Sequence, residues 1–285
     1  TFAEYEAGHP LFGSVVGRYA NRISGGGFSI DGVRHDLKTV NPKTGVHIHG
    51  GKEGLASQLW EVKAYRLKPT AVAEFTHVSP AGHEGFPGRV EFKVIYRWTA
   101  GRILEIEYRA TADQPTHVNL TNHAYFNLGG MASGDIRNHV LTLQSDRILE
   151  FDDRKIPTGG FLDVTGTPFD FRRPRTIGSR LAQVAGGGYD HCYVLTQPGQ
   201  VADPTLFARL EDPKSGRVME VLTTQPGVQL YTANYLKPPF LPHQGVCLET
   251  QHFPDSPNRP EFPSTLIRPG EEYREVTVFR FSVAP

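Results

Sequence analysis

Residues 89–110 read RVEFKVIYRWTAGRILEIEYRA. Val90, Phe92, Val94, Tyr96 and Trp98 alternate with charged or solvent-facing neighbours, and ILEIEYRA from Ile103 repeats the pattern after a four-residue link. Side chains of a strand point to opposite faces in turn, so this stretch predicts an antiparallel hairpin with one buried face. The same period recurs along the chain. FSIDGVRHDL from Phe28 sets Asp31-Gly32 between two short alternating runs, the pair of residues that tight two-residue hairpin turns favour. FARLEDPKSGRVMEVLTT from Phe207 predicts another hairpin, and EVTVFRFSV from Glu275 a last strand. Only TIGSRLAQVA (176–185) has a helical pattern. The 30 glycines and 22 prolines are spread between strands as punctuation, with no linker, repeat or low-complexity run. The expectation is one all-β domain over 1–285, a large antiparallel β-sandwich.

Composition narrows the partners. The 30 basic and 30 acidic residues balance and form no long run of either sign, so neither nucleic acid nor an anionic membrane surface has an electrostatic footprint to meet. Cys192 and Cys247 are too few and too separated for a disulfide framework, which fits a reducing, cytoplasmic setting. No basic and apolar leader opens the chain, and no apolar run approaches the length of about 18 residues needed to span a bilayer.

Five stretches place polar residues against the strand pattern: GRYANRISGG from Gly17, HIHGG from His47, NLTNHAYFN from Asn119, GGGYDHCYVL from Gly186 and CLETQHFPDSPN from Cys247. Each has a bland and a functional interpretation. His123 is either a satisfied core histidine or an acid–base group whose tautomer Asn119, Thr121 and Asn122 fix. Glu249 alternates with Leu248 and Thr250 and is either a surface carboxylate or a desolvated general base with a raised pKa. Arg18 and Arg22, four apart, share a strand face opposite Asn21, as a surface ion pair or as donors to a ligand. Asp190 either caps a turn or accepts two neighbouring hydroxyls. His49 precedes Gly50-Gly51, where backbone can approach a ligand closely, and His47 would share its face on a strand. HxH admits a zinc site in principle, but no compact cluster completes it, so no metal is expected.

Taken in order, GRYANRISGGGFSIDG, HGG, EGFPG, NLTNHAYFNL, IPTG, YDH, TTQPGVQLYT, CLETQ and IRPGEEY resemble the motifs of the aldose 1-epimerases, or galactose mutarotases, from about residue 10 to the C-terminus. The resemblance implies a supersandwich fold, a free monosaccharide as substrate, and no cofactor or metal. It implies His123 as the general acid that protonates the ring oxygen of a pyranose, and Glu249 as the general base at the anomeric hydroxyl. It further implies Asn21, Arg22, His49 and Asp190 as substrate-binding residues. Mutarotation needs an acid and a base on opposite sides of one sugar, because the C1–ring-oxygen bond opens as one group gives a proton and the other takes one.

Phe86, Tyr125, Phe126, Tyr231 and Phe253 are candidates to stack on the apolar face of a sugar. The proline-rich runs 235–245 and 252–264 are expected to form rim loops. Members of the family carry several dozen residues before the segment matching YEAGHPLFGSVVGRYANRI, which begins here at Tyr5. An open sheet edge is therefore expected, and with it a homo-oligomer paired through that edge. A non-catalytic sugar-binding sandwich and an epimerase of another sugar or a phosphosugar are the competing classes. Arg172, Arg173 and Arg175 could contact a phosphate, but a solvated loop is the expectation.

Overall fold

The computed structural model describes residues 2–6 and 8–284. Fourteen strands build its two main sheets: β1 (Glu61–Leu67), β2 (Thr70–Ser79), β3 (Val90–Thr99), β4 (Ile103–Ala112), β5 (Val140–Leu143), β6 (Arg147–Phe151), β7 (Pro157–Asp163), β8 (Arg175–Thr176), β9 (Asp190–Val194), β10 (Thr205–Glu211), β11 (Arg217–Thr223), β12 (Gly227–Tyr231), β13 (Cys247–Gln251) and β14 (Glu272–Val283). One sheet has nine strands in the order β8-β5-β10-β11-β14-β4-β3-β2-β1, and the other five in the order β7-β6-β9-β12-β13. Every pairing is antiparallel.

The period-2 expectation holds where the sheets face each other. On β3 and β4, Val90, Phe92, Val94, Ile106 and Tyr108 are buried, and they share one core with Val228, Leu230 and Leu248 from the five-stranded sheet. Each such side chain removed from water stabilises the fold by about 1.5–3 kcal/mol. The alternation fails at the end of β3, where Trp98 is 45% exposed although it is paired with Ala71 and Leu104 on either side. The Asp31-Gly32 hairpin forms as expected between Gly27–Ile30 and Val33–Asp36, with φ of 50° and 80° at the two turn residues. The segment expected to be helical forms a 3₁₀-helix over Ile177–Gln183.

At the free border of the large sheet, β1 pairs only with β2 among the described residues, and all but one of its side chains are exposed. This strand is an open edge of the sheet. At the other sheet's border the situation is reversed. All five residues of β13 are buried although the strand has a single neighbour in its sheet. Leu248 and Thr250 face the core, Thr250 hydrogen-bonding Thr277 of β14 across the sandwich at 2.5 Å. The other face lies under chain from three connections, containing residues 19–23, 47–51 and 119–126.

Run 252–264, expected as a rim loop, lines no part of the cavity described below and instead braces this cover, with residues 253–256 buried. Asp255 is fully buried and accepts from the backbone and hydroxyl of Ser24 at 2.8 Å each, its own N–H donates to Arg22, and Tyr19 donates to the Phe253 carbonyl. No helix among the described residues is long and apolar enough to cross a membrane.

Candidate active site

Strand register builds the floor. Asp190, Tyr231 and Cys247 stand side by side on β9, β12 and β13, and one step along the same face stand Cys192, Gln229 and Glu249. Alternation thus carries a carboxylate, an amide, a phenol and a second carboxylate to the outer face of the small sheet, opposite the core-facing Leu230 and Leu248. Gln229 donates to Asp190 Oδ1 at 2.6 Å, so the amide fixes that carboxylate.

His123 enters from the side. Its N–H donates to the Ser14 carbonyl at 2.9 Å and its carbonyl accepts from Gly13, while Phe126 and Val246 exchange backbone bonds that tie the segment to the start of β13. The ring lies stacked on Tyr125, centroids 5.1 Å apart at 20°, with His49 edge-on at 5.4 Å. Nε2 stands 3.7 Å from Glu249 Oε2, and Nδ1 stands 3.7 Å from Cys247 Sγ. The asparagines do not reach the ring, in contrast to the expectation that they set its tautomer. Asn119 clamps backbone at Ala20 and His252, and Asn122 donates to the Gly13 carbonyl and Tyr96. They hold the loop, and through it the position of His123.

The opposite wall comes from the two glycine-rich motifs. Asn21 adopts a left-handed φ of 63°, and its backbone N–H donates to His49 Nδ1 at 3.2 Å while its carbonyl accepts from the His49 N–H. Since Nδ1 accepts, the neutral ring carries its proton on Nε2, a donor directed at the cavity. Arg22 donates to Asn21 Oδ1 at 3.1 Å and reaches Asp190 at 3.5 Å.

Together these walls enclose a cavity of about 240 Å³ to which all six predicted residues, Asn21, Arg22, His49, His123, Asp190 and Glu249, contribute. Gln229, Tyr125, Tyr231 and Tyr235 complete it, with Pro10, Leu11 and Ile48 also in its lining. Its volume lies below the roughly 300–1,000 Å³ of pockets for drug-sized ligands, which matches a single small polar molecule. Larger surface grooves exist: one of about 470 Å³ beside Trp60 and Phe75 carries few titratable groups, and one of about 420 Å³ gathers Glu61, His77, Glu91, Lys93, Arg109 and Glu272, none of them buried.

Burial governs the electrostatics. Desolvation is the largest influence on Glu249 and raises its pKa to about 8, Asp190 adding to the shift and Arg22 opposing it. Desolvation lowers His123 to about 4. His49 is also pushed well below its ordinary value, by burial first and then by the neighbouring His123, Arg22 and His47. Near neutral pH the His123–Glu249 pair therefore holds one proton, resting on the carboxyl, and Glu249 Oε2 has no hydrogen-bond partner.

Several expectations need correction. Arg18 and Arg22 do not share a face, because the chain is not a strand between Val16 and Arg22 and turns at Asn21. Arg18 is buried away from the cavity, donating to Ser79 and to the carbonyls of Ser79, Pro80, Pro87 and Gly88. His47 and His49 part as well, since the strand ends at Ile48 and His49 has φ of 52°. His47 bonds the Thr39 carbonyl and packs on Phe86.

Gly50 and Gly51 approach the chain itself. A Cβ at Gly50 would fall 1.8 Å from the Gly17 carbonyl, and one at Gly51 2.4 Å from the Glu84 carboxylate, which holds the backbone of Thr39 and Glu53. Of the aromatic candidates, Tyr125 and Tyr231 line the cavity. Phe86 and Phe253 are core, and Phe126 packs on Phe279. In the basic cluster, Arg172 is an exposed partner of Asp170.

Sequence reasoning missed Gln229, although the alternation of VQLY places it on the face of Tyr231. The described residues that gather metal-ligating types most closely are His123, Cys247 and Glu249. One ligand atom from each of the three lies within 4.8 Å of the others.

Comparison with known proteins supplies the family. The aldose 1-epimerase family model matches residues 1–280. A galactose mutarotase of Homo sapiens is 43% identical over 99% of this chain and 83% of its own length, and an aldose 1-epimerase of Escherichia coli K12 is 37% identical over 97% and 82%. Among solved structures, an aldose epimerase homologue from C. elegans superposes with a TM-score of 0.87 at 30% identity, covering all of this chain and 86% of the other. A galactose 1-epimerase from Lactobacillus acidophilus, 24% identical, shares the fold with a TM-score of 0.88. With a match across nearly its whole length, and relatives of this identity over most of theirs, the chain belongs to the aldose 1-epimerase family and is an isomerase of the mutarotase kind.

Proposed function

We propose that the cavity interconverts the α and β anomers of a free hexose such as galactose or glucose, with His123 as general acid and Glu249 as general base. The observation that carries this reading is the buried His123–Glu249 pair, Nε2 and Oε2 3.7 Å apart and both lining the cavity, adjacent to each other and not on opposite sides of the sugar, as suits a ring oxygen and a hydroxyl borne on the same C1. Ring opening needs one group charged with a proton and one empty, and a pair holding a single proton meets that need in either direction of turnover.

In the productive isomer the proton sits on His123 Nε2. It passes to the pyranose ring oxygen while Glu249 takes the proton of the anomeric hydroxyl; the C1–ring-oxygen bond breaks and the aldehyde forms. Rotation about C1–C2 and reversal of both transfers close the ring on the other face. The gap between about 4 and about 8 sets this isomer at most about 5 kcal/mol above the resting one, before attraction between the two charges is counted. Arg22 favours the ionised Glu249 and so narrows that gap, whereas Asp190 raises the pKa of both groups.

The remaining groups bind. His49 Nε2–H and Arg22 donate to sugar oxygens, Asp190 accepts from hydroxyls, and Tyr125 and Tyr231 offer ring faces to C–H bonds. A phosphosugar fits poorly. Among the described residues the one permanent cation lining the cavity, Arg22, already faces Asp190, and a phosphate dianion would meet that carboxylate.

The test is polarimetry of freshly dissolved α-D-galactose and α-D-glucose, extended to pentoses and a hexose 6-phosphate. A rate equal to buffer for every free sugar would sink the catalytic reading in favour of a binding module. A cytoplasmic location, supported by the two free buried cysteines, and pairing of two copies along β1 are further parts of the proposal. Light scattering decides the latter, a monomer mass refuting it.

A further inference from the structure

We propose that the Cys247 thiol sulfur accepts the Nδ1–H of His123 and thereby keeps Nε2 as the nitrogen that exchanges the proton. The inference rests on the assignment of His123 as the acid in the preceding section. A histidine that gives up and regains a proton at Nε2 must retain one on Nδ1 throughout. The cation carries both, and the neutral tautomer with its proton on Nε2 has no lone pair there to take one back. The retained Nδ1–H is buried, and a buried donor needs an acceptor.

Among the described residues the side-chain atom within hydrogen-bonding reach of Nδ1 is Cys247 Sγ, at 3.7 Å, and the backbone of His123 itself is the other group that hydrogen-bonds the imidazole. Two independent features aim Nε2 elsewhere: it faces the partnerless, buried Oε2 of Glu249, and the ring plane is clamped between Tyr125 and His49. Strand alternation makes the pairing possible, because Cys247 and Glu249 project from the same face of β13 and flank one imidazole from its two nitrogens.

Sulfur in this place has a chemical consequence. Burial pushes the Cys247 thiol well above its ordinary pKa, so the acceptor is neutral. A carboxylate at the same point would stabilise the imidazolium and make it a weaker acid. A neutral, weakly accepting sulfur orients the ring and leaves His123 a strong acid, suited to an ether oxygen that holds a proton poorly. Cys247 is a positioning residue in this account and touches no substrate.

The experiment combines ¹⁵N NMR of the histidine side chains at neutral pH with kinetics of two variants. In the unaltered protein His123 is expected to show a protonated, pyrrole-like Nδ1 and a pyridine-like Nε2. Cys247→Ala is expected to mix or invert the two signals and to lower kcat roughly tenfold with KM within about twofold, the size set by one neutral hydrogen bond. Cys247→Ser, whose hydroxyl can also accept, is expected to keep the tautomer and at least about a third of kcat. A proton on Nε2 of neutral His123 in the unaltered protein overturns the proposal, as does full kcat in the alanine variant. The NMR signal does not depend on turnover, so a protein without mutarotase activity would refute the functional reading while the tautomer was still decided.

Discussion

Replacing Glu249 by glutamine should inactivate the protein and stabilise it at the same time. The carboxyl is 2% exposed, and its pKa rises from 4.5 in the unfolded chain to about 8 in the fold. A folded-state pKa above the unfolded one means that the native protein binds the proton more tightly. The associated stability is fully present below about pH 4.5 and is lost as pH climbs towards 8. At pH 7 the unfolded chain is ionised there while the folded one is still mostly protonated, so about 3 kcal/mol of that stability has already gone. Glutamine has the shape of the protonated acid and cannot ionise, so it should recover about 3 kcal/mol at pH 7 and nothing near pH 4.5. With an unfolding entropy of about 2.1 cal/mol/K per residue over 285 residues, the gain corresponds to about 5 °C in Tm. Loss of the base should cost about 10²–10⁴-fold in kcat. Thermal melts of both proteins from pH 4 to pH 9, paired with polarimetry, test the two halves separately. A Tm difference that does not grow with pH would refute the burial argument, and a variant that retained its rate would refute the role.

The pH dependence of kcat/KM should be a broad plateau, falling below about pH 4 as His123 and Glu249 are both protonated and above about pH 8 as both are empty; a steady rise through that window would contradict the shared proton. Asp190→Asn removes a charge that raises the Glu249 pKa, so the alkaline limb should move to lower pH, and loss of a charged acceptor for sugar hydroxyls should raise KM by roughly tenfold or more; a limb that stays in place would show that Asp190 does not act on Glu249. Gly51→Ala, at φ of 88° and against the Glu84 carboxylate, should destabilise by about 1–3 kcal/mol or more and lower Tm, readable in the same melts, with an unchanged Tm refuting the clash.

What could be read from the sequence and what could not divide along a physical line. Hairpins such as Val90–Ala112 are decided by neighbours two residues apart and by turn residues, so local alternation suffices to predict them. The shared face of Cys247 and Glu249 follows from the same rule, and the alternation of VQLY holds Gln229 to the face of Tyr231 in the same way. The errors gather where backbone leaves the β region. Asn21 and His49 both have positive φ, and each breaks the parity that would have put Arg18 beside Arg22 and His47 beside His49. Those two left-handed residues are also the ones that exchange backbone and ring hydrogen bonds to aim His49 into the cavity. The departures from alternation are therefore the means by which the wall opposite the strand floor is built. A strand can present only every second residue to one face, and a site that must surround a sugar needs donors from a second direction. Chain turned at Asn21 and at His49 supplies them, while the regular strands β9, β12 and β13 hold Asp190, Gln229 and Glu249 in fixed register below.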